Sequence, residues 1–281
     1  MMKKIAIQGV AGSFHESAAH LYFPDEELKI IPCATFKDVF KTVKKDSSVI
    51  AIVAIENTIA GSLLPNYDLI KNSGLKIIGE HKLRIRHSIC ALPGQELKQL
   101  TEVHSHPIAL MQCADFLDKH HNLRVIENED TAGSARMIAK KKMMGAAAIC
   151  STFAAKMYGM EVLAEGIETN KHNFTRFLIL AADELVPELQ QGAVKNKSSL
   201  VFTVSHLSGA LSKVLSIFSF YGINLTKIQS LPIIGREWEY QFYIDLSYDD
   251  YERYRQAVDA IDPLTKDVII LGDYEEGKQT V

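Results

Sequence analysis

An α/β layered domain followed by a smaller β-α-β-β-α-β module is the fold the sequence predicts, and three observations predict it. From residue 3 to about 182, short β-rich apolar runs alternate with amphipathic helical segments. A polar stretch holding Pro187 and Gly192 then breaks that rhythm. Beyond it the runs come in the order strand, helix, strand, strand, helix, strand.

The strand-like runs of the first part are KKIAIQG, LKIIPC, VIAIVAI, LKIIGEHKLRIRHSICAL, EVHS, LRVIE, AAAIC and RFLILAA. Helical patterns lie between most of them. After Gly12-Ser13 comes FHESAAHLYF; FKDVFKTVKK places Phe36, Val39, Phe40 and Val43 on one face; PIALMQCADFLDKHH starts with Pro at a favoured first helical position. Residues 183–198 are predicted to be a linker between a domain of residues 1–182 and a module of residues 199–275. That module reads SLVFTVSH, GALSKVLSIFSFYG, INLTKIQSLPIIG, EWEYQFYIDL, YERYRQAVDAI and DVIILGDY, a ferredoxin-like order with Gly235-Arg236 at the central hairpin.

The 281 residues are 47% hydrophobic and 23% charged, enough for a sizeable core. A formal charge of −3 gives no basic excess to attract nucleic acid or anionic lipid, so neither is an expected partner. No apolar run reaches the length of a membrane span, and the N-terminal run is too short for a signal peptide. Cys33, Cys90, Cys113 and Cys150 lie far apart without ligand spacing and read as reduced, buried thiols. The expected location is cytoplasmic, and the Asn173-Phe174-Thr175 tripeptide is then no glycosylation acceptor.

No G-x-S-x-G elbow, H-E-x-x-H helix or P-loop occurs, and Gly9 to Phe14 holds only two glycines of a dinucleotide fingerprint. His104 and His106 alternate on a strand end without a partnering Cys/His/Asp array, so neither metal nor cofactor is expected. What remains at the predicted strand ends is a set of hydrogen-bonding groups and one cation: Ser13, Asn57, Thr58, Ser62, Ser105, His106, Gln112, Thr131, Ser134, Thr175 and Arg176. In open α/β sheets ligands collect at those ends, where helix N-termini present N–H groups to anions. Each cluster taken alone also fits an N-cap. A guanidinium fork beside hydroxyls and amides suits a small organic acid. Phe177 offers a ring face to an unsaturated ligand or joins the core, since adjacent strand residues point opposite ways.

Five motifs in one order, spanning nearly the whole chain, resemble those of prephenate dehydratases carrying a C-terminal ACT regulatory domain. They are GVAGSFHE, VAIENTIAGSL, VHSHPIALMQC, DTAGSARMIA and NFTRFLIL. The resemblance implies a two-lobed, periplasmic-binding-protein-like catalytic domain that converts prephenate to phenylpyruvate, CO2 and water in phenylalanine biosynthesis, without a cofactor. Carried onto this sequence, it makes Thr175 the catalytic residue, Arg176 the carboxylate partner and Phe177 part of the ring site. It places Ser13, Asn57, Thr58, Ser105, His106, Gln112, Thr131, Ala132 and Gly133 around the same cleft, with backbone N–H groups of the Thr131 turn toward anionic oxygens. No chorismate mutase segment precedes residue 3, so a monofunctional enzyme is expected.

The stretch GALSKVLSIFSFYGINLTKIQSLP resembles the ACT signature. The resemblance implies that L-phenylalanine binds as effector between paired modules of a homo-dimer or homo-tetramer, through Gly209, Ala210, Leu211, Asn224 and Leu225. Where these enzymes commonly read I-E-S-R-P, this chain reads Ile228-Gln229-Ser230-Leu231-Pro232, which removes a carboxylate and a guanidinium and leaves the effector response less secure than catalysis. Two alternatives stay open: an arogenate dehydratase, whose substrate differs by an amine in place of a keto group, and a non-catalytic amino-acid-sensing binding protein.

Overall fold

The computed structural model describes residues 2–233, 235–236 and 239–280. The chain divides into two compact units: one holds the residues up to Ser62, His81–Phe177 and the stretch from Gln279; the other holds Leu63–Glu80 and Leu178–Lys278. In chain order the first elements are β1 (Lys3–Gln8), α1 (Phe14–Tyr22), β2 (Leu28–Cys33), α2 (Phe36–Lys45), β3 (Val49–Asn57), β4 (Gly61–Ser62), α3 (Leu64–Ser73) and β5 (Lys76–Arg84). Then come β6 (Ser88–Ala91), β7 (Glu102–Ser105), α4 (Pro107–Gln112), α5 (Ala114–Leu117), β8 (Arg124–Glu127), α6 (Thr131–Lys141), β9 (Ala146–Cys150), α7 (Thr152–Met157) and β10 (Glu161–Glu165). The last are β11 (Phe174–Ala181), α8 (Val186–Leu189), β12 (Lys197–Thr203), α9 (Ala210–Phe220), β13 (Asn224–Pro232), β14 (Tyr240–Ser247), α10 (Tyr251–Ile261), β15 (Lys266–Tyr274) and β16 (Gln279–Thr280).

The first sheet runs β16-β5-β11-β3-β1-β2, with β4 paired to β3; β5 and β11 each pass along the chain from one unit into the other. Its β1–β2 and β1–β3 pairs are parallel, and Val49 to Ile55 are all buried, which explains an unbroken apolar run where a one-faced strand would alternate. Helix α2 lies against β1 and β3 through Val39 and Val43, one turn apart, and starts at a Thr35 cap that accepts from Asp38 N. The second sheet runs β10-β6-β9-β7-β8. Its β9 is a fully buried Ala146-Ala147-Ala148-Ile149-Cys150, small enough to let α6 pack close through Ala132, Ala135 and Ile138.

Two sequence readings change here, for one reason. The run LKIIGEHKLRIRHSICAL, expected as a continuous strand region, splits into β5 and β6, which belong to different sheets. The helix expected from Pro107 to His121 breaks at Cys113 into α4 and α5. Both breaks meet the return connection, residues 166–173. Ile85 N donates to Asn173 O (2.7 Å), Ile167 N to His87 O (3.0 Å) and Thr169 N to Gln112 O (2.8 Å), while Asp115 N donates to Thr169 Oγ1 (3.1 Å). Long-range hydrogen bonds outcompete local helix and strand propensity at these positions.

In the second unit a four-stranded antiparallel sheet runs β13-β14-β12-β15, the ferredoxin-like order. Helices α9 and α10 pack over a core that includes Leu200, Phe202, Val214, Phe218, Ile244, Leu246 and Tyr254. Gly235 closes the β13–β14 turn at a φ of 81°; the strand expected from Glu237 begins at Tyr240, and Glu237 and Trp238 lie outside the described residues. On β13, Gln229 and Leu231 share the half-buried face with Leu225 and Lys227.

A boundary at 182/183 leaves Leu63–Glu80 with the first domain, whereas its partners put it in the second unit. Tyr67 packs on Tyr243 (ring centroids 5.1 Å apart), Lys71 Nζ donates to Gln241 Oε1 (2.5 Å), and a Cβ on Gly272 would stand 2.0 Å from Ile77 O. Of the residues expected to link the domains, Gln190 is built in: its Nε2 donates to Ile78 O (3.1 Å) and Asp273 O (2.9 Å).

One tie in this unit is a buried ion pair. Lys197 Nζ lies 2.9 Å from Glu80 Oε1, both side chains almost wholly buried, and 3.2 Å from Glu276 Oε1. Removing one partner of a buried pair leaves the other charge without it, so Lys197→Met is expected to cost about 3–5 kcal/mol. Thermal or denaturant unfolding measures this, and an unchanged midpoint would disprove it. Among the described residues no helix is long and apolar enough to cross a membrane, and the four cysteines are free and buried.

Candidate active site

The ends of β3 and β11 are stitched together. Thr58 N donates to Phe174 O (2.9 Å), Phe174 N to Thr58 Oγ1 (2.9 Å), and Thr58 Oγ1 to His172 O (2.8 Å). Asn57 sits at the centre. Its Oδ1 accepts from Ile59 N (3.0 Å) and Ala60 N (2.8 Å), which fixes the amide's orientation. Its Nδ2 therefore faces three acceptors: Asn173 Oδ1 (2.7 Å), Phe174 O (3.1 Å) and Thr175 Oγ1 (3.0 Å).

A hydroxyl has one proton and two lone pairs. Because Thr175 Oγ1 accepts from Asn57 Nδ2, its own proton is not used in that contact. Behind this pair stands Gln112, buried at 6% exposure, whose Nε2 donates to Asn57 Oδ1 (3.4 Å) and whose Oε1 accepts from Asn173 Nδ2 (2.9 Å). Sequence reading singled out Asn57, Gln112 and Thr175, and the structure brings them together. Asn173, which opens the NFTRFLIL motif, was given no role there.

Arg176 and Phe177 do not join Thr175 as the sequence suggests. Strand neighbours face opposite sides. Arg176 and Phe174 line a cavity of about 310 Å³ together with Glu56, Asn57, Thr58, Lys82 and Gln279, and Thr175 is not part of that lining. The guanidinium is largely buried and its Nη1 lies 3.3 Å from Glu56 Oε1. Phe177 is 1% exposed, its ring edge-on to His15 at 5.0 Å, and so belongs to the core. The ring at the cavity is Phe174. Burial pushes His15 down to about 4, so it packs there as a neutral ring. Lys82 and Gln279 carried no motif, and only sheet pairing brings them here.

Other expected residues make local contacts. Ser13 caps α1, accepting from Glu16 N (3.4 Å). Ser105 is fully buried and donates to Ile149 O (2.6 Å). His106 caps α4, its Nδ1 accepting from Ile108 N (3.2 Å). Thr131 opens α6, Ala132 is buried, and Gly133 N donates to the Asp130 carboxylate, so that cap already holds the turn expected to meet anionic oxygens. Gly133 lines a separate cavity of about 400 Å³ with Arg136, Met137, Lys140 and Lys141.

In the second unit Gly209 precedes α9 at a φ of 75° with open space around it, and Ala210 begins the helix. Leu211 and Leu225 are half-buried against the core, and Asn224 Nδ2 donates to Ser247 Oγ (3.4 Å).

Residues 5–185 match the prephenate dehydratase family model. The chain belongs to the prephenate dehydratase family. An arogenate dehydratase of Petunia hybrida is 36% identical over 96% of this chain and 66% of its own length. A bifunctional chorismate mutase/prephenate dehydratase of Buchnera aphidicola is 32% identical over 97% of the chain and 71% of its own. The chain thus spans about two thirds of the length of these curated relatives. Among solved structures, the prephenate dehydratase of Arthrobacter aurescens in complex with L-Phe is 28% identical, with TM-score 0.85, over 99% of this chain and 92% of that one. GqqA, described as a novel type of quorum-quenching acylase, is also 28% identical, with TM-score 0.87, over 98% of each chain.

Proposed function

We propose that this prephenate dehydratase family member converts prephenate to phenylpyruvate, CO2 and water, with Thr175 as proton donor. The observation that carries the reading is the Asn57–Thr175 contact, which holds the hydroxyl as an acceptor and leaves its proton for the substrate. The ring carboxylate leaves as CO2, and the electron pair of the broken C–C bond enters the ring. The C–O bond to the ring hydroxyl breaks, and the departing oxygen takes the Thr175 proton and leaves as water. Thr175 then regains a proton from solvent. In sum, the prephenate dianion and one proton give the phenylpyruvate anion, CO2 and water.

A threonine hydroxyl is a poor acid in water, so the reading relies on preorganised dipoles and on aromatisation as driving force. The Asn57 amide is such a dipole, and Gln112 and Asn173 keep it aimed. Arg176 acts from the other face of β11: by holding Glu56 it fixes the end of β3 that carries Asn57.

The β12–β15 module is read as an ACT-type regulatory module that takes L-phenylalanine in a dimer or tetramer, near Gly209 and Asn224. The L-Phe complex of the Arthrobacter enzyme supports that effector. Four buried free thiols support a reducing, cytoplasmic location. The experiment compares turnover of prephenate and arogenate at matched concentration, each with and without phenylalanine. Prephenate is expected to be preferred and phenylalanine to slow it; a marked preference for arogenate overturns the substrate assignment.

A further inference from the structure

We infer that His87 is a positioning residue for the dehydration, acting on Thr175 through Gln112 and Asn57; this rests on the dehydratase reading above. His87 belongs to no motif and lies where the chain crosses from β5 to β6. It is 2% exposed, and its Nε2 is 2.9 Å from Gln112 Oε1. An amide oxygen only accepts, so Nε2 carries the proton and Nδ1 keeps the lone pair.

The direction of every link then follows. Gln112 Oε1 is held from two sides, by His87 Nε2–H and by Asn173 Nδ2 (2.9 Å). That turns Gln112 Nε2 toward Asn57 Oδ1, where it joins Ile59 N and Ala60 N in holding Asn57 Nδ2 toward Thr175 Oγ1. An amide held by one donor alone is freer to rotate, and a rotated Gln112 would set an oxygen against Asn57 Oδ1. His87 is itself held firmly. Its backbone N donates to Glu168 Oε2 (2.9 Å), and Phe14 meets its ring edge-on at 5.6 Å. Nδ1 has no hydrogen-bond partner among the described residues, so the ring's one side-chain hydrogen bond there is through the nitrogen that faces Gln112. Burial, the largest influence, lowers its basicity and favours the neutral ring.

The test is a set of variants of the full chain assayed with prephenate, after wild-type turnover is established. No wild-type turnover would remove the dehydratase reading itself. With turnover present, His87→Phe is expected to lower kcat about tenfold with KM within about twofold, the scale of one lost hydrogen bond. His87→Gln, which keeps an N–H donor, should recover most of the loss. Adding Gln112→Leu to His87→Phe should lower kcat no further than Gln112→Leu alone. Wild-type kcat in His87→Phe, multiplying effects in the double variant, or no recovery in His87→Gln would each overturn the inference. Nitrogen-15 NMR of the wild-type imidazole is independent of whether any variant folds: a proton on Nε2 is expected, and one on Nδ1 alone refutes the role.

Discussion

Thr175→Ala is expected to reduce phenylpyruvate formation about 10³-fold or more while KM stays within a few-fold, the range of effect found when a general acid is removed. The side chain is half-buried, and its contact with Asn57 Nδ2 is one of three that this nitrogen makes. The unfolding midpoint should therefore move little, because Asn173 Oδ1 and Phe174 O still receive the amide. Steady-state kinetics and a thermal melt on the same preparation check both halves. Near-normal turnover in this variant would remove Thr175 from the mechanism.

Asn57→Asp is the sharper substitution because it changes chemistry at nearly constant shape. A carboxylate at this position still accepts from Ile59 N and Ala60 N, so the β3–β4 turn is retained. It offers no hydrogen to Asn173 Oδ1, Phe174 O or Thr175 Oγ1, and draws the Thr175 hydroxyl proton toward itself. It also adds a negative charge beside a dianionic substrate. The expected loss in kcat/KM is about 10³-fold, the sum of a misdirected acid and charge repulsion. A variant that keeps a tenth of wild-type kcat/KM would show that the Asn57 amide does not orient Thr175.

What could be read in advance follows from which residues carry a local signal. β1, β3 and β9 announce themselves as β-rich apolar runs, and α2 through Val39 and Val43, because burial of those faces is dictated by their own spacing. The break at Cys113 and the split of β5 from β6 had no such signal. They are made by backbone hydrogen bonds from Asn173, Ile167 and Thr169, about 60 to 90 residues away in the chain.

The site shows the same division. Thr175, Asn57 and Gln112 stand in motifs and were expected at the site, whereas Asn173, inside NFTRFLIL, and His87, outside every motif, acquire a role only when the crossing segments meet. Arg176 follows strand geometry: residues adjacent in sequence lie on opposite faces, so it lines a cavity with Phe174, Asn57 and Thr58, and Thr175 is not in that lining. The neutrality of the Thr175 network also matters for an anionic substrate. On the function proposed above, hydroxyl and amide groups orient it without a buried counter-charge that would have to be desolvated first.

The central claim, that a neutral network aims the Thr175 proton at prephenate, meets its most direct test in the ultraviolet absorbance of phenylpyruvate formed by the purified wild-type chain from prephenate. Steady production, slowed by added phenylalanine, is the predicted result. A folded protein that leaves prephenate at its uncatalysed rate would contradict the account.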